Sequence, residues 1–355
     1  MKSFVTIIFT LILSISASGQ ASTPLPISQA EYVKMLYALE RDPSLIDSMI
    51  QDLRTRGIDF NLTDGIRSLT SSKSRSDREL RRTLEEAARR RTNPISATLP
   101  SAKQFLEIVS KARSAAKEAI EEMPDFVVKQ QIERSIAYFG TTNFKGLDRI
   151  VVGVSYRANG GEEYRVLSVN GVRQNDAQGK ASYEEVGGSS STGEFVTVLS
   201  KIFNQESQTK FDAVDTDLIR GRQAVVASFS ITKELGQQAL ISSGTTSASA
   251  ITGMDGKIWI DTENFRVLRI ESNATEIPID FPIRSARRTI DYDWVKIADQ
   301  TSLLPSISDV RLVVREGRET YETRNLIRFK DYQKYGSEIK ILDDDVTPST
   351  DAKKP

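Results

Sequence analysis

Gly256-Lys-Ile-Trp-Ile-Asp-Thr-Glu-Asn-Phe-Arg-Val-Leu-Arg-Ile-Glu271 is the stretch that decides the fold of this 355-residue chain. Apolar and polar residues alternate on both sides of a polar turn at 262–264, which is the pattern of a β-hairpin with one buried face. The alternation predicts that Ile258 and Ile260 share a face, and that Leu268 and Ile270 supply the apolar face of the returning strand. This hairpin predicts an antiparallel sheet.

Segments of the same kind lie on both sides of the hairpin. From Phe126 onward the apolar period changes from 3.6 to 2, so most of the second part of the chain is predicted to be strand. One helix interrupts the strands, with Ser191 and Glu194 predicted as its capping box. The predicted strands are 126–138, 149–157, 163–170, 211–219, 223–232, 247–254, 256–261, 266–274, 288–297, 307–315 and 320–330.

Residues 27–91 form a predicted helical module. Ser28 with Glu31 and Ser76 with Glu79 fit the capping-box pattern, in which a hydroxyl and an acidic side chain satisfy the first backbone N–H groups of a helix. A basic run at 67–91 has acidic residues spaced four apart from its arginines, which indicates a solvated, ion-paired helix face more than a nucleic-acid site. Residues 92–100 read as a linker, after which Ser101 and Gln104 open a long amphipathic helix.

The two ends of the chain predict a compartment. Residues 1–21 combine Lys2, an apolar core and small residues, which predicts a cleaved secretory signal peptide. A membrane anchor is the alternative to a cleaved signal peptide, but the apolar core is too short to span a bilayer. Since no Cys is present for acylation, we expect a periplasmic or secreted protein without a transmembrane segment after cleavage. Residues 343–355 are predicted to be a disordered acidic tail.

The composition excludes several kinds of chemistry. The chain has neither His nor Cys, so the usual zinc sites, thiol nucleophiles and histidine-dependent triads cannot form. Its formal net charge is zero, and no global field indicates a nucleic-acid partner. Asp291 with Asp293, and Glu162 with Glu163, are candidate acid/base pairs. The alternation around Asp291 favours a solvated outer face for the first pair.

Residues 101–342, with a leading helix, a long run of antiparallel strands and a helix between strands, resemble the bacterial outer-membrane lipoprotein-sorting family. The hairpin from Lys257 to Ile270 is similar to the recurring strand-turn-strand of that family. The resemblance implies an α+β fold in which the helical module precedes a curved antiparallel sheet, an open half-barrel covered by helices. It also implies an apolar concave face that holds acyl chains. The helical module lies outside this resemblance.

An open sheet with an apolar inner face either buries that face under helices or offers it to a hydrophobic ligand. Both alternatives remain open from the sequence. Two apolar segments broken by proline, 277–282 and 303–305, are predicted as rim loops. They gate a cavity mouth, contact a partner or a lipid surface, or simply plug the rim. The predicted ligand-lining residues are Val225, Phe229, Ile258, Ile260, Leu268, Ile270, Ile290, Tyr292 and Trp294.

The sequence therefore predicts a non-catalytic periplasmic binding protein for a lipid, another hydrophobic small molecule or an acylated polypeptide, with no cofactor and no metal. The alternative is an envelope scaffold protein that captures a protein partner through its helical module. An enzyme that uses carboxylates is the third possibility.

Overall fold

The computed structural model describes residues 25–94, 98–141, 143–158, 161–174, 193–243 and 247–336. The predicted signal peptide and the predicted acidic tail lie outside these residues, as does Ser191. The chain divides into two compact units, 1–92 and 93–355. Among the described residues, no helix is both long and apolar enough to cross a membrane.

The first unit is helical and has its own core. Its helices are α1 (Gln29–Arg41), α2 (Ile46–Arg56), α3 (Asp64–Lys73) and α4 (Arg78–Thr92), with a 3-10 turn at Pro43–Leu45 ahead of α2. Ser28 caps α1 as predicted, because its Oγ accepts a hydrogen bond from the Glu31 N–H at 3.2 Å. The core contains Ile27, Tyr32, Leu36, Leu39, Met49, Ile50, Leu53, Ile58, Phe60, Ile66, Leu80, Leu84 and Ala87.

Two predictions for α4 are wrong. Ser76 has a positive φ of 60° and is not the cap. Asp77 caps the helix instead, and its Oδ1 accepts from the Leu80 N–H at 2.8 Å. Glu79, the expected partner of Ser76, forms an ion pair with Arg54 of α2. The capping box fails because the cap lies one residue later than the spacing predicted.

The basic run around α4 is ion-paired, and the predicted pair between Glu86 and Arg90 is present, but other parts of the pairing differ from the prediction. Arg67 of α3 forms an ion pair with Glu85 of α4 at 2.7 Å, so charges that fit an intrahelical spacing instead join neighbouring helices. Glu86 is only 2% exposed and contacts Arg89 at 2.6 Å and Arg90 at 3.6 Å. The Arg67–Glu85 pair joins α3 to α4, whereas the two contacts of Glu86 lie within α4.

The second unit begins with α5 (Ala102–Glu121), whose capping box between Ser101 and Gln104 is confirmed. Pro124 follows the helix, and the chain then enters the sheet. The strands are β1 (Phe126–Tyr138), β2 (Lys145–Arg157), β3 (Gly161–Val169), β4 (Val172–Arg173), β5 (Lys210–Ile219), β6 (Arg222–Ile231), β7 (Gln238–Ser243), β8 (Ser247–Asp261), β9 (Val267–Thr275), β10 (Ile283–Ile297), β11 (Gln300–Glu316) and β12 (Glu319–Lys334), with helices α6 (Thr197–Phe203) before β5 and α7 (Lys233–Gly236) before β7.

The strands form one antiparallel sheet in the order β4-β3-β2-β1-β12-β11-β10-β9-β8-β6-β5, and β7 pairs with β8 outside this path. The first and last strands, β1 and β12, pair in the middle of the sheet. In the described part of the chain, β4 and β5 occupy the two edges, so the sheet is open. The predicted α+β class and open half-barrel covered by helices are confirmed.

Three local predictions for this unit are wrong. Leu303-Leu304-Pro305 does not form a rim loop but lies inside β11, where Pro305 pairs with Tyr292 beside a β-bulge that tolerates a proline. The two strands predicted at 247–254 and 256–261 are one continuous strand, β8. Strand β7 was not predicted, and α6 begins only at Thr197, beyond the predicted capping box. The predicted loop at 277–282 is confirmed.

Candidate functional site

Seven of the nine predicted lining residues lie together on the inner face of the sheet. Each is at most 4% exposed. They form one cluster with apolar residues of α5 and α6, including Phe105 and Ile202. The face that was expected to hold a ligand is therefore covered by the protein's own helices in this structure. The seven residues are Val225, Phe229, Ile258, Ile260, Ile270, Ile290 and Tyr292.

Leu268 lies on the opposite face, contrary to the predicted alternation. The pairing of β8 with β9 shifts by one residue between Trp259 and Ile260, so Val267 stands opposite Ile260. A bulge of this kind reverses which side chains point inward. Val267 therefore joins the inner cluster, whereas Leu268 packs with Trp259 on the outer face.

Trp294 is 41% exposed and does not join the inner cluster. It borders a cavity of about 60 Å³ near the C-terminal end of α5, together with Met123, Arg266 and Leu304. A volume of this size holds a few water molecules. It is too small to accept an acyl chain.

One row of inner-face residues runs in register across ten strands, and we call it the isoleucine rung. It continues from one apolar cluster under α5 and α6 into a second one on β1, β2, β3 and β12. All six isoleucines of the rung are 0% exposed. The rung consists of Ala213, Ala227, Ile258, Ile270, Ile290, Ser308, Ile327, Ile132, Ile150 and Val169.

The second apolar cluster was missing from the predicted site. It contains the inward residues of β1 and β2, such as Val128, Ile132 and Val152, together with Phe195 ahead of α6. The signal was present in the sequence, because the alternation in the predicted strands 126–138 and 149–157 marks these positions as one face. Phe195 packs edge-on against Phe329 with ring centroids 5.4 Å apart.

A few polar contacts hold the covering helices. Arg266 donates to the backbone carbonyl of Ala115 at 2.6 Å and forms an ion pair with Glu118 at 2.9 Å. Arg113 of α5 donates to the carbonyl of Phe203 at 3.1 Å, which ties α5 to α6. The rest of the contact is apolar, and Ala112 and Ala116 lie in it. Small side chains of this kind let a helix approach the sheet closely.

The two candidate acid/base pairs do not form sites in which both carboxylates face one centre. Asp291 is buried on the outer face against Arg269 at 2.6 Å, not solvated as predicted, and Asp293 lies 3.6 Å from Arg220. Glu163 forms an ion pair with Arg157 at 2.6 Å. These carboxylates therefore do not converge on one reaction centre.

Glu162 instead joins the segment that leads into α6. It accepts from Tyr164 Oη and from the Gly193 N–H, the latter at 3.3 Å. Burial raises the pKa of the Glu162 carboxyl. Within the described ranges, no group of three or more Asp or Glu residues is arranged to hold a metal ion.

No protein-family model matches the chain, and no curated protein does. Among solved structures, a LolA superfamily protein from Nitrosomonas europaea is similar over 67% of this chain and 97% of its own, with 13% identity and a TM-score of 0.33. A DUF1329 family protein from Desulfovibrio piger is similar over 65% and 95%, with 9% identity and a TM-score of 0.29. The complex of MucA and MucB from Pseudomonas aeruginosa is matched over 62% and 94%, with 9% identity and a TM-score of 0.18. Each of these likenesses is one of fold alone.

Proposed function

We propose that this protein is a periplasmic carrier that binds a lipid or an acylated polypeptide on the concave face of its sheet and performs no chemistry on it. The observation that carries the proposal is the isoleucine rung, a row that is apolar at every position except Ser308 and continues across both clusters of the inner face. Transfer of an acyl chain from water to an apolar surface is favourable by about 0.8 kcal/mol for each buried CH2 group.

Helix α5 is the element that we expect to move. Its inner side is apolar and carries small residues such as Ala112 and Ala116, and Arg266 supplies a polar tie to it at Ala115 and Glu118. An acyl chain that replaces α5 on the sheet restores the apolar contact that the helix gives up. The closed structure and the ligand-bound state therefore bury the same face under different covers.

A reversible cross-link tests this mechanism. The chain has no cysteine, so the double variant Glu118→Cys/Arg266→Cys carries only the two introduced thiols. They are joined by a cleavable bismaleimide linker, and binding of the fluorescent fatty acid cis-parinaric acid is titrated. We expect binding before cross-linking, loss of binding in the linked form, and recovery when the linker is cleaved.

The same variant before linking is the matched control for the two substitutions. Unchanged binding in the linked form would show that α5 is not the moving cover. If the wild-type protein bound no cis-parinaric acid, and if mass spectrometry found no amphiphile in extracts of the purified protein, the proposed function would be rejected. The scaffold alternative is then tested by deleting 27–91 and measuring capture of envelope proteins.

A further inference from the structure

Gln130 is a polar side chain in the middle of the second apolar cluster. It belongs to β1 and follows the inward positions of Phe126 and Val128, with Ile132 next on the same face. Its register partners are Val152 on β2 and Phe329 on β12, which are both apolar and buried. Gln130 itself is 0% exposed. The alternation of β1 therefore places an amide where the other inward residues are hydrocarbon.

Neither amide atom of Gln130 has a hydrogen-bond partner in the part of the chain that the structure describes. A buried amide without partners is rare in folded proteins, because it has lost its bonds to water and gained none in return. The hydroxyl of Ser308, the polar member of the isoleucine rung, is likewise buried and without a partner. The face that is proposed to receive an acyl chain thus carries unsatisfied donors and acceptors.

We infer that Gln130 recognises an amide linkage in the ligand, so that the preferred ligand is an N-acylated amphiphile and not a plain hydrocarbon chain. This inference rests on the proposed function. A secondary amide offers one N–H and one C=O, which match the carbonyl and the NH2 group of the Gln130 side chain. The acyl chain beyond the linkage then lies along the apolar face.

Phe195 packs against two neighbours of Gln130 on this face, and we expect a ligand to displace it. Its ring packs edge-on against Phe329, the register partner of Gln130, and against Phe126 at 5.2 Å between centroids. Phe195 is 1% exposed and lies two residues before α6. Entry at Gln130 therefore requires movement of the segment that leads into α6.

Three probes with the same chain and head group distinguish recognition of an amide linkage from binding of the hydrocarbon chain alone. They are N-dodecanoylethanolamine, its ester analogue 2-hydroxyethyl dodecanoate, and its ether analogue 2-(dodecyloxy)ethanol. Their affinities are measured by displacement of cis-parinaric acid from the full-length protein. We expect the amide to bind about tenfold more tightly than the ether, with the ester between them, because each hydrogen bond to a buried amide adds affinity.

The variant Gln130→Leu tests the residue. We expect it to bind the amide about tenfold more weakly and the ether without change, while its melting temperature rises because a buried unsatisfied group has been removed. The matched control is Gln131→Leu, which makes the same substitution on the opposite face of β1 and keeps the preference for the amide.

The outcomes distinguish this inference from the proposed function. If the three probes bind the wild type equally, or if Gln130→Leu weakens all of them alike, amide recognition at Gln130 is wrong and the carrier function stands. If no probe and no cis-parinaric acid binds the wild type, both are wrong. Loss of the amide preference in Gln130→Leu alone, in a protein with a raised melting temperature, supports the inference.

Discussion

Arg269 on β9 and Asp291 on β10 stand directly opposite each other on the outer face of the sheet, with Nε and Oδ1 2.6 Å apart. The guanidinium also lies over the indole of Trp259, 5.4 Å from the ring centroid, and Trp259 donates to Asp217 Oδ2 at 2.7 Å. The outer face thus contains a buried chain of charged and aromatic groups, while the inner face of the same strands is mainly apolar.

Removal of one partner of the Arg269–Asp291 ion pair is expected to destabilise the folded protein. Arg269→Met leaves the buried carboxylate of Asp291 without its guanidinium, and the free energy of unfolding should fall by about 3–5 kcal/mol. Urea denaturation followed by tryptophan fluorescence measures the change. The double variant Arg269→Met/Asp291→Leu removes both charges and should recover most of the loss. Equal destabilisation of the single and the double variant would contradict this account.

Gly256 is a position at which the sheet requires glycine. Its φ is +156°, and a Cβ built there would lie 1.9 Å from the carbonyl oxygen of Glu271 on β9. Gly256→Ala should therefore lower the free energy of unfolding by about 1–3 kcal/mol, which is typical of overpacking. Gly146→Ala on β2 is the control, because its Cβ meets nothing within 4 Å and should change stability by less than about 0.5 kcal/mol. Urea denaturation of both variants checks the difference.

Much of the fold could be predicted because its signals are local. The period of two marks the strands, and Ser28, Ser101 and Pro124 mark helix ends through their own hydrogen bonds or their lack of an N–H. The bulge between β8 and β9 could not be predicted in this way. It depends on the register of two strands, and a shift of one residue moved Leu268 to the outer face and Val267 to the inner face.

Seven of the nine predicted lining residues share one face of the sheet, and the apolar row on that face extends beyond them. Ile270 and Ile290 could be assigned because each lies between polar neighbours along its own strand. Their continuation into Ile327 and Ile132 could not, because it arises from the pairing of the first strand with the last, far apart in sequence. Whether this face binds a ligand stays a prediction.

Asp77 and Ser76 are neighbours, but only Asp77 caps α4. Asp77 accepts from the Leu80 N–H, whereas Ser76 has a positive φ and no capping role. Asp77→Ala should lower the free energy of unfolding by about 1 kcal/mol, within the range for a lost N-cap. Ser76→Ala should lower it much less. Hydrogen exchange of the first turn of α4, followed by mass spectrometry in the full-length chain, should show faster exchange in Asp77→Ala. Faster exchange in Ser76→Ala alone would restore the capping box that the sequence predicted.

We expect the burial of Tyr32 to make the stability of the helical unit fall at alkaline pH. Thr70 gives its one hydroxyl proton to the Ile66 carbonyl at 2.8 Å, so Tyr32 donates its own to Thr70 Oγ1 at 3.0 Å. Burial of the phenol raises the pKa of Tyr32 to about 12, from an unfolded value near 10. Below pH 10 the phenol is protonated in both states, so the full contribution is present there.

Between pH 10 and about 12 the unfolded chain loses this proton while the folded chain keeps it, and stability should fall by about 1.4 kcal/mol per pH unit through this group. Tyr32→Phe removes the titration and retains the ring in the core. The free energy of unfolding of both proteins is measured by urea denaturation from pH 9 to pH 11.5, and the difference between them cancels the titration of the other tyrosines. We expect the wild type to lose stability faster than Tyr32→Phe above pH 10. Parallel pH profiles would mean that Tyr32 ionises equally in both states and is not protected by burial.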